Sequence, residues 1–258
     1  MLDAPIIEQL NQMQTIDLTE MKSIKLMNRV DTKFIASKDE LLHLLELSKN
    51  DYRVQIVNNY PIGDYDTIYY DTANLDMYLL HHNRHLQRQK IRTRAYVESQ
   101  LAFLEIKNKT NKGRTDKTRI KIPLENLQDF SNNPVAQQFI QKEADYKLST
   151  LMPQLRTAFT RITLVNNSKT ERLTIDTDLH LENLQTGKTI NLPNVLIIEL
   201  KQDGLCHSEM KAILQDLRIK KTNISKYCIG MVLTNSVIKN NRFKRKAVLV
   251  QQVNNNTK

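Results

Sequence analysis

The sequence predicts an α+β fold: antiparallel strands curled into a barrel of about eight strands, with helices packed around the outside. Three observations lead there. First, charged and apolar residues alternate with a period of two over Arg29-Val-Asp-Thr-Lys33-Phe34, Lys90-Ile-Arg92-Thr-Arg94, Glu105-Ile-Lys107-Asn-Lys109, Lys117-Thr-Arg119-Ile-Lys121, Arg172-Leu-Thr-Ile-Asp176 and Glu199-Leu-Lys201. In a strand, residues i and i+2 share a side, so each stretch makes a charged face backed by an apolar one. Second, these faces together with Arg161 carry thirteen cations against four acids (Asp31, Glu105, Asp176, Glu199), which accounts for nearly all of the formal charge of +10. An exposed sheet mixes its outward charges; a surplus of this size fits faces that converge on a wet or anion-filled interior, because a dry, unpaired cation is costly. Third, the apolar partners, among them Ile91, Leu104, Ile106, Ile120, Ile122, Leu196, Ile198 and Leu200, need cover that amphipathic helical stretches between the strands can give.

Taken in order, residues 5–13 read as a short amphipathic helix inside a helical lead-in over about 1–27, and the first strand is expected over about 28–35. Ser37 followed by Glu40 forms a capping box that opens a helix over 38–47, with Leu41, Leu44, Leu45 and Leu47 as its apolar stripe. Strands are expected over 54–57, 67–71, 86–97, 102–107 and 118–122, with Asn111-Lys112-Gly113 as the turn between the last two. A helix over 134–145 precedes strands over 155–165, 172–177, 180–184 and 195–201. Ser208 caps a helix with Met210, Ile213, Leu214 and Leu217 inward, and another helix spans 225–233. The end from about 250, finishing in Asn254-Asn-Asn-Thr-Lys, reads as a frayed tail. No Gly/Ser/Pro-rich linker and no fixed-period repeat divides the 258 residues, so one domain over 1–258 is expected.

Composition narrows the function classes. No apolar run approaches the roughly 20 residues that span a bilayer, and the first residues lack a basic segment followed by an apolar one. Cys206 and Cys228 have neither metal-ligand spacing nor the pattern of a disulfide framework. A cytoplasmic protein is expected, at most peripheral to the inner face of a membrane. With only Gly63, Gly113, Gly187, Gly204 and Gly230, the chain has no glycine-rich phosphate loop. Phosphate would be held by side chains, Arg through its planar fork and Lys as a point charge.

The acids on the charged faces admit two readings. Glu105 and Glu199 each precede a Lys by two residues, so they either pair with neighbouring cations or hold Mn²⁺ or Mg²⁺ against phosphate oxygens. His81, His82 and His85 lack a further ligand at zinc spacing and read as helix-end or surface histidines. Tyr69-Tyr70-Asp71 reads as core aromatics beside a turn-capping Asp, and Ser225-Lys226-Tyr227 as an N-cap that doubles as an anion site. Basic strands can also bind RNA through its phosphates. Acids interleave these strands, however, and no exposed aromatic platform for stacking is expected on them, so nucleic acid is not the expected partner.

Arg29-Val-Asp-Thr-Lys33-Phe34, Tyr70-Asp71-Thr72, Lys90-Ile-Arg92-Thr-Arg94-Ala-Tyr96, Leu104-Glu105-Ile-Lys107, Lys117-Thr-Arg119, Leu155-Arg156-Thr-Ala-Phe159-Thr-Arg161, Arg172-Leu-Thr-Ile-Asp176, Ile198-Glu199-Leu-Lys201, Ser225-Lys226-Tyr227 and Asn241-Arg242-Phe243-Lys244 occur in that order. Taken together they resemble the VTC (vacuolar transporter chaperone) polyphosphate polymerase domain of the triphosphate tunnel metalloenzyme superfamily, over about residues 20–245. The resemblance implies an eight-stranded antiparallel tunnel that binds ATP, passes its terminal phosphoryl group to a growing polyphosphate chain, and requires a divalent metal. It implies phosphate-holding roles for Lys33, Arg92, Arg94, Lys107, Lys117, Arg161 and Arg172. Ser225 and Lys226 would contact the phosphate chain, Glu199 would bind Mn²⁺ or Mg²⁺, and Glu105 would be a second acid. Lys109, Arg119 and Lys201 add substrate-binding charge on the same faces. Two positions depart from the family pattern: Asn223 stands where a basic residue is usual, with Lys221 or Lys220 as substitutes, and Phe159 replaces a Tyr. No SPX-like regulatory segment or membrane span is seen, so the resemblance points to a stand-alone domain of bacterial type. Any export of product would then need a separate membrane protein partner.

Overall fold

The computed structural model describes residues 3–24, 26, 29–111, 115–204 and 207–256. In chain order the elements are α1 (Ala4–Gln12), β1 (Thr15–Ile16), α2 (Leu18–Ser23), β2 (Arg29–Ser37), α3 (Lys38–Ser48), β3 (Tyr52–Gln55), β4 (Gly63–Asp71) and α4 (Asp76–His82). They continue with β5 (Arg88–Tyr96), β6 (Leu101–Lys109), β7 (Thr115–Ile122), α5 (Pro134–Glu143), β8 (Met152–Asn166), β9 (Glu171–Asn183) and β10 (Thr189–Leu192). The chain closes with β11 (Val195–Asp203), α6 (Glu209–Asp216), α7 (Lys226–Thr234) and α8 (Lys244–Asn254). Local chemistry sets several boundaries. The Ser37 amide donates to Glu40 Oε2 at 2.6 Å in a capping box that ends β2 and starts α3. Asn133, Ser208 and Ser225 cap α5, α6 and α7 by accepting from the Ala136, Lys211 and Cys228 amides.

The sheet runs β2-β11-β9-β8-β4-β5-β6-β7 with every neighbour antiparallel, while β10 extends beside β9, β3 beside β8, and β1 pairs parallel with β3. It is strongly curled. Lys33 on β2 and Lys90 on β5 are five ladder steps apart, about 24 Å in a flat sheet, yet Lys90 feels the Lys33 charge. Lys107 on β6 likewise feels Glu199 on β11. Among the described residues β2 and β7 form no ladder with each other, so the sheet is a half-barrel, and the β2 edge is met by the segment before α7, where the Thr222 amide donates to the Lys33 carbonyl at 2.7 Å.

Apolar residues fill the convex side. Phe34, Ile162, Leu173, Leu196 and Ile198 pack under α1, α3 and α6, and Ile68, Ile91, Leu104, Ile106 and Ile122 pack under α5. The concave side changes character along its length. On β2 the charged parity Arg29, Asp31, Lys33 continues into buried Ile35, and on β11 Lys201 and Glu199 continue into buried Ile197. There α7 and α8 lie against Ile35, Leu155, Leu179, Leu181, Val195 and Ile197 and plug that end of the concavity.

Three expectations are corrected. The strands expected over 172–177 and 180–184 are one strand, β9, whose register with β8 slips between Ala158 and Thr160 near Asp178, a residue at φ 50°. The break in the sequence pattern is thus a β-bulge that re-aims Leu179 and Leu181 toward α7. The tail expected to fray from about 250 is helical to Asn254, because Val250 and Val253 are buried against the α7 layer beneath the Asn-rich end. Helix α4 and strands β1 and β10 have no counterpart in the sequence-based expectations. Asn28, Lys112, Gly113 and Cys206, used in reading the sequence, lie outside the described residues.

Candidate active site: the cationic concave face

Residues opposite one another in neighbouring antiparallel strands share a face, so the ladders assemble the site in rungs. Tyr69, Arg92, Glu105 and Arg119 form one rung across β4 to β7; Lys90, Lys107 and Lys117 form the next; Thr67, Arg94, Phe103 and Lys121 form the one on the other side. Across the concavity, Lys33, Glu199 and Thr174 form one rung over β2, β11 and β9, Asp31, Lys201 and Arg172 form another, and Arg161 lies opposite Asp176. The fold therefore brings Lys33, Arg92, Arg94, Lys107, Lys109, Lys117, Arg119, Arg161, Arg172 and Lys201 onto one concave face. Lys221 is the exception: it bridges to Phe34, whose side chain points to the convex core, so it falls on the outer side.

Three of the inner acids, Glu105, Asp176 and Glu199, are each held by two cations. Glu105 has no exposed surface; its Oε2 accepts from Arg92 Nε at 2.8 Å and Nη2 at 2.6 Å, and its Oε1 pairs with Lys117. Burial alone would raise its pKa, but Arg92, Arg94 and Lys117 outweigh burial and hold it at about 2. Asp176 accepts from Arg161 at 2.5 and 2.8 Å and also pairs with Lys226 of α7, which keeps its carboxyl well below the usual range despite burial. Glu199 pairs with Lys201 and, at 3.6 Å, with Lys33, and its side chain keeps 24% exposure. Burial opposes its ionisation, yet these cations and Arg161 hold it low. Among the described residues no three His, Cys, Asp or Glu side chains cluster as a ready-made metal cage.

Seven cations of the concave face have no carboxylate partner among the described residues: Lys90, Arg94, Lys107, Lys109, Arg119, Lys121 and Arg172. Arg94, 6% exposed, donates only to Thr67 Oγ1 at 2.9 Å. Burial, with Arg92 and Arg161, lowers its pKa to about 10. Lys107 is pushed to about 6, first by the charge of Arg92 and then by burial and Arg94. Lys90 donates to Ser225 Oγ at 3.3 Å and is depressed by burial; Arg172 is depressed by burial, Arg29 and Arg161, and its buried Nε has no hydrogen-bond partner. Unneutralised cations at this density destabilise the empty face, and an anion relieves them.

Aromatic rings line the cationic face, against expectation. Phe159, Tyr65 and Tyr96 lie across neighbouring strands, with Phe159 and Tyr65 stacked at 5.3 Å between centroids, Tyr65 and Tyr96 at 5.0 Å, and Tyr96 edge-on to Phe103 at 5.8 Å. Arg161 sits 4.7 Å over Tyr65, Lys226 4.3 Å over Phe159, and Arg119 4.5 Å over Phe103. The sequence reading expected no aromatic platform on these strands, because a lone aromatic in a strand does not declare its face; parity with Arg161, Thr67, Arg94 and Glu105 is the signal that finds Phe159, Tyr65, Tyr96 and Phe103.

Helix α7 delivers Ser225 and Lys226 into the concavity and is tied down from behind. The buried Asp71 carboxylate accepts from the Thr72, Met77 and Tyr78 amides at 2.8–2.9 Å and from the Tyr227 hydroxyl at 2.6 Å. It therefore joins α4 to α7. Tyr227 also stacks on Tyr69 at 5.3 Å, whose hydroxyl is held down to about 8 because Arg92, Arg94, Lys226 and Lys90 outweigh the effect of burial. Where Lys221 does not reach, Lys246 of α8 does: its ammonium donates to the Asn223 carbonyl. His81 of α4 makes no metal site but meets the buried Cys228 thiol at 3.0 Å, and burial, with Lys90 and Arg88, lowers its pKa to about 2.

The VTC domain family model matches residues 28–235. The chain belongs to the VTC domain family. Among solved structures, a putative adenylyl cyclase from Hippeastrum, described as having a dominant triphosphatase activity, is 14% identical at a TM-score of 0.50, covering 80% of this chain and 96% of that one. A putative adenylate cyclase from Bacillus halodurans is 14% identical at a TM-score of 0.48, covering 84% and 99%. No curated protein matches the chain. The curled antiparallel sheet of this VTC domain, with its helices outside, is the triphosphate tunnel fold expected from the sequence.

Proposed function

We propose that this VTC domain is a metal-dependent polyphosphate polymerase that draws the triphosphate of ATP into its concave face. The observation carrying the reading is the set of inner cations without a carboxylate partner, Lys90, Arg94, Lys107 and Arg172 among them, with Lys90 bonded to Ser225 at the α7 N-terminus. A linear polyanion supplies the counter-charge that the protein omits. In the reaction, a terminal oxygen of the polyphosphate chain bonds to the γ-phosphorus while the bond from that phosphorus to the β–γ bridging oxygen breaks, and ADP leaves with the electron pair. Phosphoryl transfer asks mainly for positioning and charge stabilisation. Lys33, Arg92, Arg94, Lys107, Lys117, Arg161 and Arg172 would hold phosphates, with Lys109, Arg119 and Lys201 adding charge along the path. Ser225 and Lys226 would touch the chain from α7, and Lys246, rather than Lys221, supplies the basic group near Asn223.

The donor set fits one divalent cation held partly by substrate. Mg²⁺ commonly takes one or two carboxylates and completes its shell with phosphate oxygens and water. The partly exposed Glu199 suits Mn²⁺ or Mg²⁺ in that way, whereas Glu105, engaged at both oxygens and fully buried, does not. When bound, the metal would neutralise charge on the β- and γ-phosphate oxygens.

A second reading, a triphosphatase that delivers the phosphoryl group to water, is favoured by the activity stated for the Hippeastrum protein. Incubation with ATP and Mn²⁺ separates the readings. Long polyphosphate chains with ADP support the polymerase, and free phosphate without chains supports the triphosphatase. Neither product, with tight triphosphate binding retained, marks a non-catalytic polyanion-binding module. Arg92→Ala and Glu199→Gln should each nearly abolish turnover; wild-type rates in both would reject the assigned site. Among the described residues no helix is long and apolar enough to cross a membrane; a separate membrane protein partner for product movement is part of this proposal.

A further inference from the structure

We propose that Tyr96 and Phe103, with Arg119, form a stacking ledge for the base of a nucleoside triphosphate at the rim of the concavity; this rests on the reading of the cationic face as a triphosphate site. The concave face is polarised. Toward the α7 plug lie Lys90, Lys107 and Lys117, and toward the opposite end the same parity carries aromatic rings. Phe159 and Tyr65 are already covered by Arg94, Arg161 and Lys226, which fixes those cations and leaves no room for a ligand ring. Tyr96 and Phe103 are different. Both are only half-buried, and the cation over Phe103 is the exposed Arg119 on edge strand β7, free to lift and cover the far side of an inserted ring.

Spacing supports the same occupant. Lys107 and Phe103 are four residues apart on β6, about 14 Å along the strand, a length that three linked phosphates and a ribose fill. Phosphates gripped at the Lys107 and Arg92 rungs thus leave the base beside Tyr96 and Phe103. Every base has a π-face for an aromatic platform, and a guanidinium stacks on it as well. The ledge is two rings wide and leads into a concavity plugged by α7 and α8, which suits one mononucleotide rather than a continuous nucleic-acid strand. It would let the site bind ATP more tightly than bare triphosphate without strong preference among bases.

The test compares ATP with inorganic triphosphate in wild type, Phe103→Leu and Tyr96→Leu, with circular dichroism as the fold check. Stacking on one ring predicts about a tenfold weaker KM or Kd for ATP in the variants, with inorganic triphosphate unchanged. An equal loss for both ligands, or no loss for ATP, overturns the ledge. A 2-aminopurine nucleoside triphosphate gives a second readout on wild type alone: stacking quenches its fluorescence, and unquenched fluorescence at saturation overturns the ledge even if the variants fail to fold. Single-stranded RNA competing as strongly as ATP at equal salt would also overturn it. Failure of wild type to bind either triphosphate ligand would instead reject the substrate reading, and the ledge with it.

Discussion

Replacing Glu105 by Gln isolates one feature of the site, the buried carboxylate clamped between Arg92 and Lys117. Gln keeps the shape, removes the charge, and with only one acceptor oxygen turns its amide N–H₂ toward one of the two cations, Arg92 on Oε2 or Lys117 on Oε1. Removing one partner of a buried ion pair costs about 3–5 kcal/mol. The carboxyl gives a consistent figure, since its depression from 4.5 to about 2 in the folded state corresponds to about 3 kcal/mol. For a chain of this size that is a fall in Tm of about 6–12 °C. The sign follows from the lowered pKa: the stabilisation is present above pH 4.5 and is lost as pH falls toward 2. The wild-type Tm should therefore drop through that window more steeply than the Glu105→Gln Tm. Thermal unfolding followed by circular dichroism at pH 7.5 and at steps down to pH 3 reads both quantities. Inorganic triphosphate should recover more Tm in the variant than in wild type, because Arg92 then finds a new counter-charge, and the divalent-metal requirement should be unchanged. A variant within about 2 °C of wild type, or one that has lost its metal dependence, would refute the clamp and return Glu105 to the metal-ligand role.

Other outcomes follow from the same geometry. Lys107, held at about 6 by Arg92, burial and Arg94, is largely neutral at pH 7.5 and should take up a proton when a polyanion arrives; calorimetry of triphosphate binding in two buffers of different ionisation enthalpy should show uptake that Lys107→Met removes, and buffer-independent heats would contradict it. Asp71→Asn sets an amide against donors from α4 and the Tyr227 hydroxyl, so it should lose about 1.5–3 kcal/mol and raise KM by loosening Ser225 and Lys226; an unchanged KM would show that α7 is held by packing alone. Gly230→Ala drives a Cβ into the fully buried Leu155, and although Ala favours helix by about 1 kcal/mol, overpacking of about 1–3 kcal/mol should leave the variant less stable; a higher Tm would mean that Leu155 moves freely.

The concave face could be read from the chain because its code is local: two-residue periodicity decides which side a residue takes, and Arg92, Glu105, Lys107 and Arg172 obey it. Non-local or irregular features were not legible. At Asp178 a bulge shifts parity, so one strand looked like two. Lys221 is basic and two residues from Asn223, but its bridge to Phe34 turns it outward, while Lys246, distant in sequence, arrives on α8. The ambiguity over Glu105 and Glu199 lay in partners rather than position: both share the face, and only the structure shows Glu105 fully enclosed by cations and Glu199 partly open. The aromatic row was hidden for a related reason, since Phe159, Tyr65, Tyr96 and Phe103 come from four strands whose adjacency no single segment reveals.

The most direct measurement of the central claim is calorimetric titration of inorganic triphosphate into wild type and Arg94→Ala at fixed salt. Arg94 bonds only to a threonine hydroxyl, so its removal strands no buried acid, and the loss it causes reports on the ligand rather than on the fold. One triphosphate should bind per chain, with affinity at least tenfold weaker in Arg94→Ala at an unchanged or higher Tm. Equal affinity in the two proteins, or no binding to wild type, would contradict the reading of the concave face as a triphosphate site.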